Sequence, residues 1–172
     1  MNTVIQKKVC LLGDFGVGKT SLIRRFVEGR FDDKYLSTIG VKITRKVIPR
    51  AYGSMNLLMW DLAGSNGFDS ISNSSYLQGA SAAMLVCDAT RRETLDTFEE
   101  YARQIRLLNA RVSLVFVCNK IDLTDQRVIS DADLSRVAVT FGDGTCFLSS
   151  AKTGQQVEDA FIALADKIDA GA

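Results

Sequence analysis

Residues 13–20 read GDFGVGKT, and no other stretch of this chain restricts its fold so tightly. The run has the form G-x-x-x-x-G-K-[ST], follows the apolar segment KKVCLL, and opens a helical pattern in which Leu22, Ile23, Phe26 and Val27 share one side. A strand that turns on glycines straight into a helix aims successive backbone N–H groups inward, and the helix N-terminus adds its dipole at the same point. The pattern predicts a phosphate cradle. Gly13, Asp14, Phe15, Gly16, Val17 and Gly18 form the loop, Lys19 places a point charge at the β- and γ-phosphates, Thr20 offers a hydroxyl to Mg²⁺, and Ser21 follows in the first helical turn.

The rest of the chain alternates in the same sense. Apolar runs of strand length fall at 4–12, 40–48, 55–61, 82–88, 112–118 and 144–148, and helical spacing recurs after Lys19 and over about 67–79, 92–109, 131–141 and 153–169. In the third helix Leu95, Phe98, Ile105 and Leu108 line one side; in the last, Thr153 stands as a cap ahead of Val157, Phe161, Leu164 and Ile168. AAMLVCD and VSLVFVCN have little polar alternation, as parallel strands buried on both faces do. VKITRKVI and MNLLMWD, joined by a turn with Pro49 and Gly53, read instead as an antiparallel edge hairpin with Lys42, Thr44 and Lys46 on a wet face. The expected class is α/β, one domain over 1–172, with helices on both faces of the sheet.

Composition narrows the chemistry. There is no histidine, so histidine triads, imidazole bases and His-ligated metals are excluded. The net charge of +1 gives no field for nucleic acid or a membrane surface, and no stretch approaches the ~20 apolar residues of a spanning helix. Cys10, Cys87, Cys118 and Cys146 are far apart and set in apolar runs, which fits buried thiols in a reduced compartment rather than a zinc site or disulfide framework.

Three further segments extend the phosphate site. LLMWDLAG ends an apolar strand with Asp61, placed to act on Mg²⁺ through water, and with Gly64, whose N–H can meet a γ-phosphate. VFVCNKID sets Asn119, Lys120 and Asp122 directly after a buried strand. A carboxylate accepts two N–H bonds side by side, which guanine offers and adenine does not, so Asp122 can choose the base while the Lys120 stem lies on its plane. SSAKTG at 149–154 brings Ser150, Ala151 and Lys152 ahead of the last helix, with the Ala151 N–H in reach of guanine O6.

With GDFGVGKT, WDLAG, NKID and SSAKTG in this order, the chain resembles a Ras-superfamily small GTPase over nearly its whole length, and YLSTIGVKI, SSYLQGA and DATRRETLDTF resemble the Rab branch most. The resemblance implies a G domain with a six-stranded sheet, one antiparallel edge strand and about five helices. It implies GTP/GDP and Mg²⁺ as cofactors, with Thr20 and Thr38 as metal ligands and Asp61 acting through water. Phe31 would stack on the guanine, Tyr35 would cover the phosphates, and Thr38 and Gly64 would sense the γ-phosphate in switches near 31–41 and 64–78. Lys19, Thr38, Gly64 and position 65 would carry catalysis. Effector, exchange-factor and GTPase-activating proteins would bind the switches of a cytoplasmic monomer, recruited to membranes through partners. With no cysteine after Cys146 in a chain ending DKIDAGA, no lipid anchor of its own is expected.

The chain departs from the family at Phe15, where a small residue is usual, and at Ser65, where a glutamine orients the attacking water. Slow intrinsic hydrolysis is the expectation, with Asn66 as an alternative water-positioning group. One extra residue between Phe68 and Ser74 implies a different path for the second switch. Trp60 and Tyr76 match two positions of an effector-facing apolar patch and Ile43 replaces an aromatic; exposure there for a partner and packing into the core are both open. A phosphate-loop kinase or ATPase and a non-cycling pseudo-GTPase are the rival readings.

Overall fold

The computed structural model describes residues 3–34, 37–64 and 74–171. Six strands, β1 (Thr3–Leu12), β2 (Val41–Arg50), β3 (Gly53–Leu62), β4 (Ala82–Asp88), β5 (Ser113–Asn119) and β6 (Cys146–Leu148), form one sheet in the order β2-β3-β1-β4-β5-β6. All neighbours are parallel except β2 and β3, which pair antiparallel from Val41 with Leu62 to Arg50 with Gly53. The edge hairpin is as the alternation implies, but its turn is shorter. Pro49 lies inside β2 opposite Ser54 and Gly53 begins β3, leaving only Ala51 and Tyr52 to turn the chain. An edge strand tolerates proline because its N–H is not needed by a neighbour.

Helices α1 (Lys19–Glu28) and α5 (Val157–Ala170) cover one face of the sheet; α3 (Phe98–Leu108) and α4 (Asp131–Phe141) cover the other, with the one-turn α2 (Glu93–Asp96) leading into α3. Under α1 and α5 lie Val9, Leu11, Met55, Leu57, Met59, Met84 and Val117, with Phe26 and Phe161 stacked at 4.3 Å between ring centres. Under α3 and α4 lie Cys10, Leu12, Leu85, Cys87, Phe116 and Cys118. Alternate residues of the same strands feed the two cores, which explains the unbroken apolar runs of β4 and β5. Cys10, Cys87 and Cys118 are buried there as free thiols, while Cys146 is half-buried.

Several expectations are corrected. The helix expected over 92–109 is broken at Thr97, and its buried side is Phe98, Tyr101, Ala102 and Ile105, with Leu108 turned outward. Thr153 does not cap α5. Its hydroxyl accepts the Gln155 N–H in a turn, and the helix starts at Val157 after Gln156 in the left-handed region. Of the segment 67–79, residues 67–73 lie outside the described residues; Ser74–Tyr76 is a single 3-10 turn. The β2 faces agree with the expectation only at Lys42, which is exposed. Thr44 and Lys46 are half-buried beside buried Ile48, with the Lys46 ammonium bonded to Phe26 O, whereas Ile43 and Val47 on the opposite face are 47% and 59% exposed. Trp60, opposite Ile43 in register, and Tyr76 are each half-buried with rings 6.4 Å apart, so they belong to both readings: packed at the core margin and open on one side. α4 starts on a capping box, in which Ser130 Oγ accepts from the Asp133 N–H and the Asp133 carboxylate accepts from the Ser130 N–H, ahead of Leu134.

Candidate functional site

The carboxyl ends of the parallel strands converge on one cleft of about 330 Å³, next to β1, where the strand order reverses. Its walls include Phe15, Gly16, Gly18, Lys19, Thr20 and Ser21 from the loop after β1, Asp61 and Gly64 at the end of β3, Asn119, Lys120 and Asp122 after β5, and Ala151 and Lys152 after β6. Phe31 and Thr38 complete the wall from the segment before β2. Motifs from Phe15 to Lys152 thus meet in one place.

At the phosphate end, Gly18 takes φ 100° as the cap of α1, and a Cβ there would lie 2.4 Å from Asn119 Nδ2. Only glycine fits both the conformation and the approach. Lys19 is 6% exposed and donates through Nζ to Gly13 O at 2.8 Å and Asp14 O at 3.3 Å. Burial pulls its ammonium down to about 8, partly offset by the Asp61 and Asp14 carboxylates. Gly64 sits against the loop so closely that a Cβ would fall 2.7 Å from Phe15 N. Asp14 and Val17 turn their side chains away from the cleft: Val17 enters the core, and the Asp14 carboxylate accepts from Tyr101 Oη at 2.7 Å and Thr97 Oγ1 at 3.2 Å.

Thr20, Thr38 and Asp61 come together as a cation-binding donor set would. Thr20 Oγ1 lies 2.6 Å from Thr38 Oγ1 and donates to Asp61 Oδ2 at 2.5 Å, and Thr38 Oγ1 reaches the same oxygen at 3.3 Å. Asp61 Oδ1 is buried with no hydrogen-bond partner among the described residues, and desolvation raises the carboxyl pKa despite the threonine bonds and Lys19. Two hydroxyl oxygens and an orphaned carboxylate oxygen are the hard donors that Mg²⁺ takes, so the residues fit the ion.

At the other end, Asn119 joins loop to loop: Nδ2 donates to Val17 O at 3.0 Å, while Oδ1 accepts from Ala151 N at 3.1 Å and Ser149 Oγ at 3.3 Å. The Ala151 N–H expected at guanine O6 is therefore spent on Asn119 here. Lys120, at φ 68°, donates through Nζ to Gly16 O at 2.6 Å and pairs with Asp88 at 2.7 Å. Buried Ser150 does not line the cleft; its Oγ donates to Asp122 Oδ1 at 2.6 Å and orients that carboxylate. Arg25 of α1 donates to Ala151 O at 2.8 Å and to Lys152 O, tying the base end to the phosphate end. Tyr35 and Ser65 lie outside the described residues, as do Asn66 and the positions of the extra residue. Sequence reading missed Asp32, Asp33, Lys34, Leu62 and Leu123 in the wall, and Asp88, Arg91 and Arg25 behind it. The strand-end position of Asp88, matching that of Asp61 and Asn119, is the one signal that was available.

The fold and the cleft define a P-loop nucleotide-binding α/β protein. The Ras family model matches residues 8–170. Among curated proteins the chain is 37% identical over 163 residues to the Ras-related protein Rab-4A of Danio rerio, covering 94% of this chain and 75% of that one. It is 37% identical over 161 residues to the Ras-related protein RABD2c of Arabidopsis thaliana, covering 91% and 77%. It is 35% identical over 162 residues to the Ras-related protein Rab-22A of Mus musculus, covering 94% and 82%. The chain belongs to the Ras family of small GTP-binding proteins, near its Rab branch.

Proposed function

We propose that the whole chain acts as one Mg²⁺-dependent guanine-nucleotide switch, whose GTP form recognises effector proteins and whose intrinsic hydrolysis of GTP to GDP and phosphate is slow. The observation that carries the reading is the convergence, in one cleft, of the glycine loop with Lys19, the Thr20–Thr38–Asp61 donor set, and Asp122 held by Ser150. In this reading the loop N–H groups and Lys19 hold the β- and γ-phosphates, Asp122 selects guanine, Phe31 packs on the base, and Thr38 reports the γ-phosphate to partners. Thr20, Thr38 and Asp61 hold Mg²⁺, which neutralises phosphate charge when bound. Among the described residues no helix is long and apolar enough to cross a membrane.

Slow hydrolysis follows from Ser65, too short to hold an attacking water, and from Phe15, a residue 43% exposed on the cleft wall where an activating arginine would approach. The test has two stages. Nucleotide released from the purified protein by denaturation is identified by chromatography, with GDP or GTP expected; displacement of bound GTP by equimolar ATP would sink the guanine reading. Single-turnover hydrolysis is then compared between wild type and Ser65→Gln, with the variant expected to be about tenfold faster or more. Wild-type hydrolysis as fast as the variant's would remove the claim of slowness. Exposed Phe15 also favours a second reading, a non-cycling pseudo-GTPase; it predicts retained nucleotide with no turnover in either protein.

A further inference from the structure

Three consecutive carbonyls of the phosphate loop are held by side chains that follow β4 and lie at the end of β5. Asn119 Nδ2 takes Val17 O at 3.0 Å, Lys120 Nζ takes Gly16 O at 2.6 Å, and Arg91 Nη2 takes Phe15 O at 2.6 Å. In a trans peptide the C=O of one residue and the N–H of the next point in opposite directions. Holding the Phe15 carbonyl outward therefore turns the Gly16 N–H inward, toward the cleft, and the Asn119 contact does the same for Gly18, whereas the Val17 N–H donates within the loop to Asp14 O at 3.4 Å. The Asn119 and Lys120 contacts come from the base motif. Arg91 lies in the DATRRETLDTF segment, to which the sequence attaches no nucleotide role, and does not line the cleft.

Arg91 is fixed at both ends of its guanidinium. While Nη2 holds Phe15 O, Nε donates to Asp88 Oδ2 at 3.2 Å. Asp88 is 2% exposed and immobilised by the Thr90 N–H at 2.9 Å, the Thr90 hydroxyl at 2.7 Å and the Lys120 ammonium at 2.7 Å. Arg91 N also donates to Asp88 O at 3.0 Å. A planar fork with one tine on a buried carboxylate and the other on a loop carbonyl cannot be copied by a lysine's single ammonium. A charged donor on the carbonyl also polarises the peptide so that its N–H becomes a stronger donor.

We propose that Arg91 is a positioning residue for the phosphate site: through the Phe15 carbonyl it aims the Gly16 N–H at the β-phosphate region of a bound nucleoside diphosphate or triphosphate. The inference rests on the nucleotide reading above, and its test separates the two. ¹⁵N-labelled full-length protein is titrated with GDP and Mg²⁺ while the Gly16, Val17 and Gly18 amide protons are followed, and release of a fluorescent GDP analogue is timed in parallel. Binding by the wild type is expected to move the Gly16 and Gly18 amides downfield, with Val17, bonded to Asp14 O, as the reference. In Arg91→Ala the Gly16 shift on binding shrinks while that of Gly18 persists, and release becomes roughly tenfold faster, the effect of losing one charge-assisted bond. Arg91→Lys recovers release only in part, and Arg91→Gln gives the same two readouts if the alanine variant does not fold. Unchanged release and an unchanged Gly16 shift overturn the proposal, and so does an equal loss at Gly16 and Gly18, which would make Arg91 a general support. If the wild type binds ADP in place of GDP, the guanine assignment falls and the same measurements with ADP still decide on Arg91. If it binds neither, both fall.

Discussion

At the scale of single residues, Asp88 shows how a buried charge becomes a structural joint. Four donors from Thr90, Arg91 and Lys120 surround its two oxygens. Burial alone pushes its carboxyl pKa up, but the Lys120 and Thr90 bonds outweigh burial, and the net shift is downward. A carboxyl held below its unfolded value contributes stability that is fully present above that value, near about 3.9, and is lost as pH falls through the folded one. Asp88→Asn leaves Lys120 and Arg91 without their common anchor. Because those two side chains are about one-third exposed, solvent recovers part of the loss, and about 2 kcal/mol at pH 7 is expected rather than the 3–5 of a fully buried pair. Urea midpoints of wild type and variant should differ clearly at pH 7 and converge toward pH 3. A gap that stays constant across that range would show that the carboxylate's charge is not what holds the joint.

At the scale of elements, the interest lies in contacts that tie loops to helices far off in sequence. Arg25 projects from α1 and holds the carbonyls of residues 151 and 152, while its Nη1 closes the end of its own helix on Gly29 O at 3.1 Å. The loop it grips carries its own bonds, Gly154 N to Ser150 O at 2.8 Å and Thr153 N to Ser150 Oγ at 3.1 Å. Replacing Arg25 with alanine should loosen this loop without unfolding α5, whose core contacts through Phe161 and Leu164 are independent of it. Hydrogen exchange tests this directly. The Gly154 amide should exchange at least about tenfold faster in Arg25→Ala, with the Phe161 amide unchanged; equal acceleration of both would mean that Arg25 supports the whole helix. Element boundaries that sequence spacing missed have the same kind of cause. Thr94 Oγ1 bonds Arg91 O, and Thr97 Oγ1 bonds Thr94 O and Asp14 Oδ2, so threonine side chains compete with the helix ladder where 92–109 breaks. The hydroxyls of Ser150 and Thr153 close a turn where the last helix was expected to begin.

At the scale of the whole molecule, what could be read from the sequence is what local physics encodes. Six apolar runs became six strands, β4 and β5 buried almost throughout and β3 at alternate residues, with edge β2 and short β6 more open, and the loop at 13–20 sits where its glycines require. Asp61, Asn119 and Asp122 reach the cleft because strand ends in a parallel sheet share one edge. Arg91 and Arg25 were not legible, since each acts on a backbone carbonyl 76 or 126 residues away that carries no side-chain signature. The same sheet edge links function to stability. Asp61 is buried with an unpartnered Oδ1, and an unpaired buried carboxylate oxygen is a cost to the nucleotide-free fold. Thr20 and Thr38 retain each other as partners at 2.6 Å when the carboxylate is removed. Asp61→Ala should therefore cost the nucleotide-free protein less than about 1 kcal/mol, whereas truncating a buried, fully paired carboxylate costs several. A ligand at a hundred times its Kd adds about 2.7 kcal/mol to the wild type. If Asp61 is retained for the ion, the part of that gain seen with GDP and Mg²⁺ but not with GDP and EDTA should vanish in the variant. Thermal melts of both proteins under those two conditions, and without nucleotide, decide the matter. An Mg²⁺-dependent rise in Tm that survives Asp61→Ala would show that the orphaned oxygen is not kept for a cation.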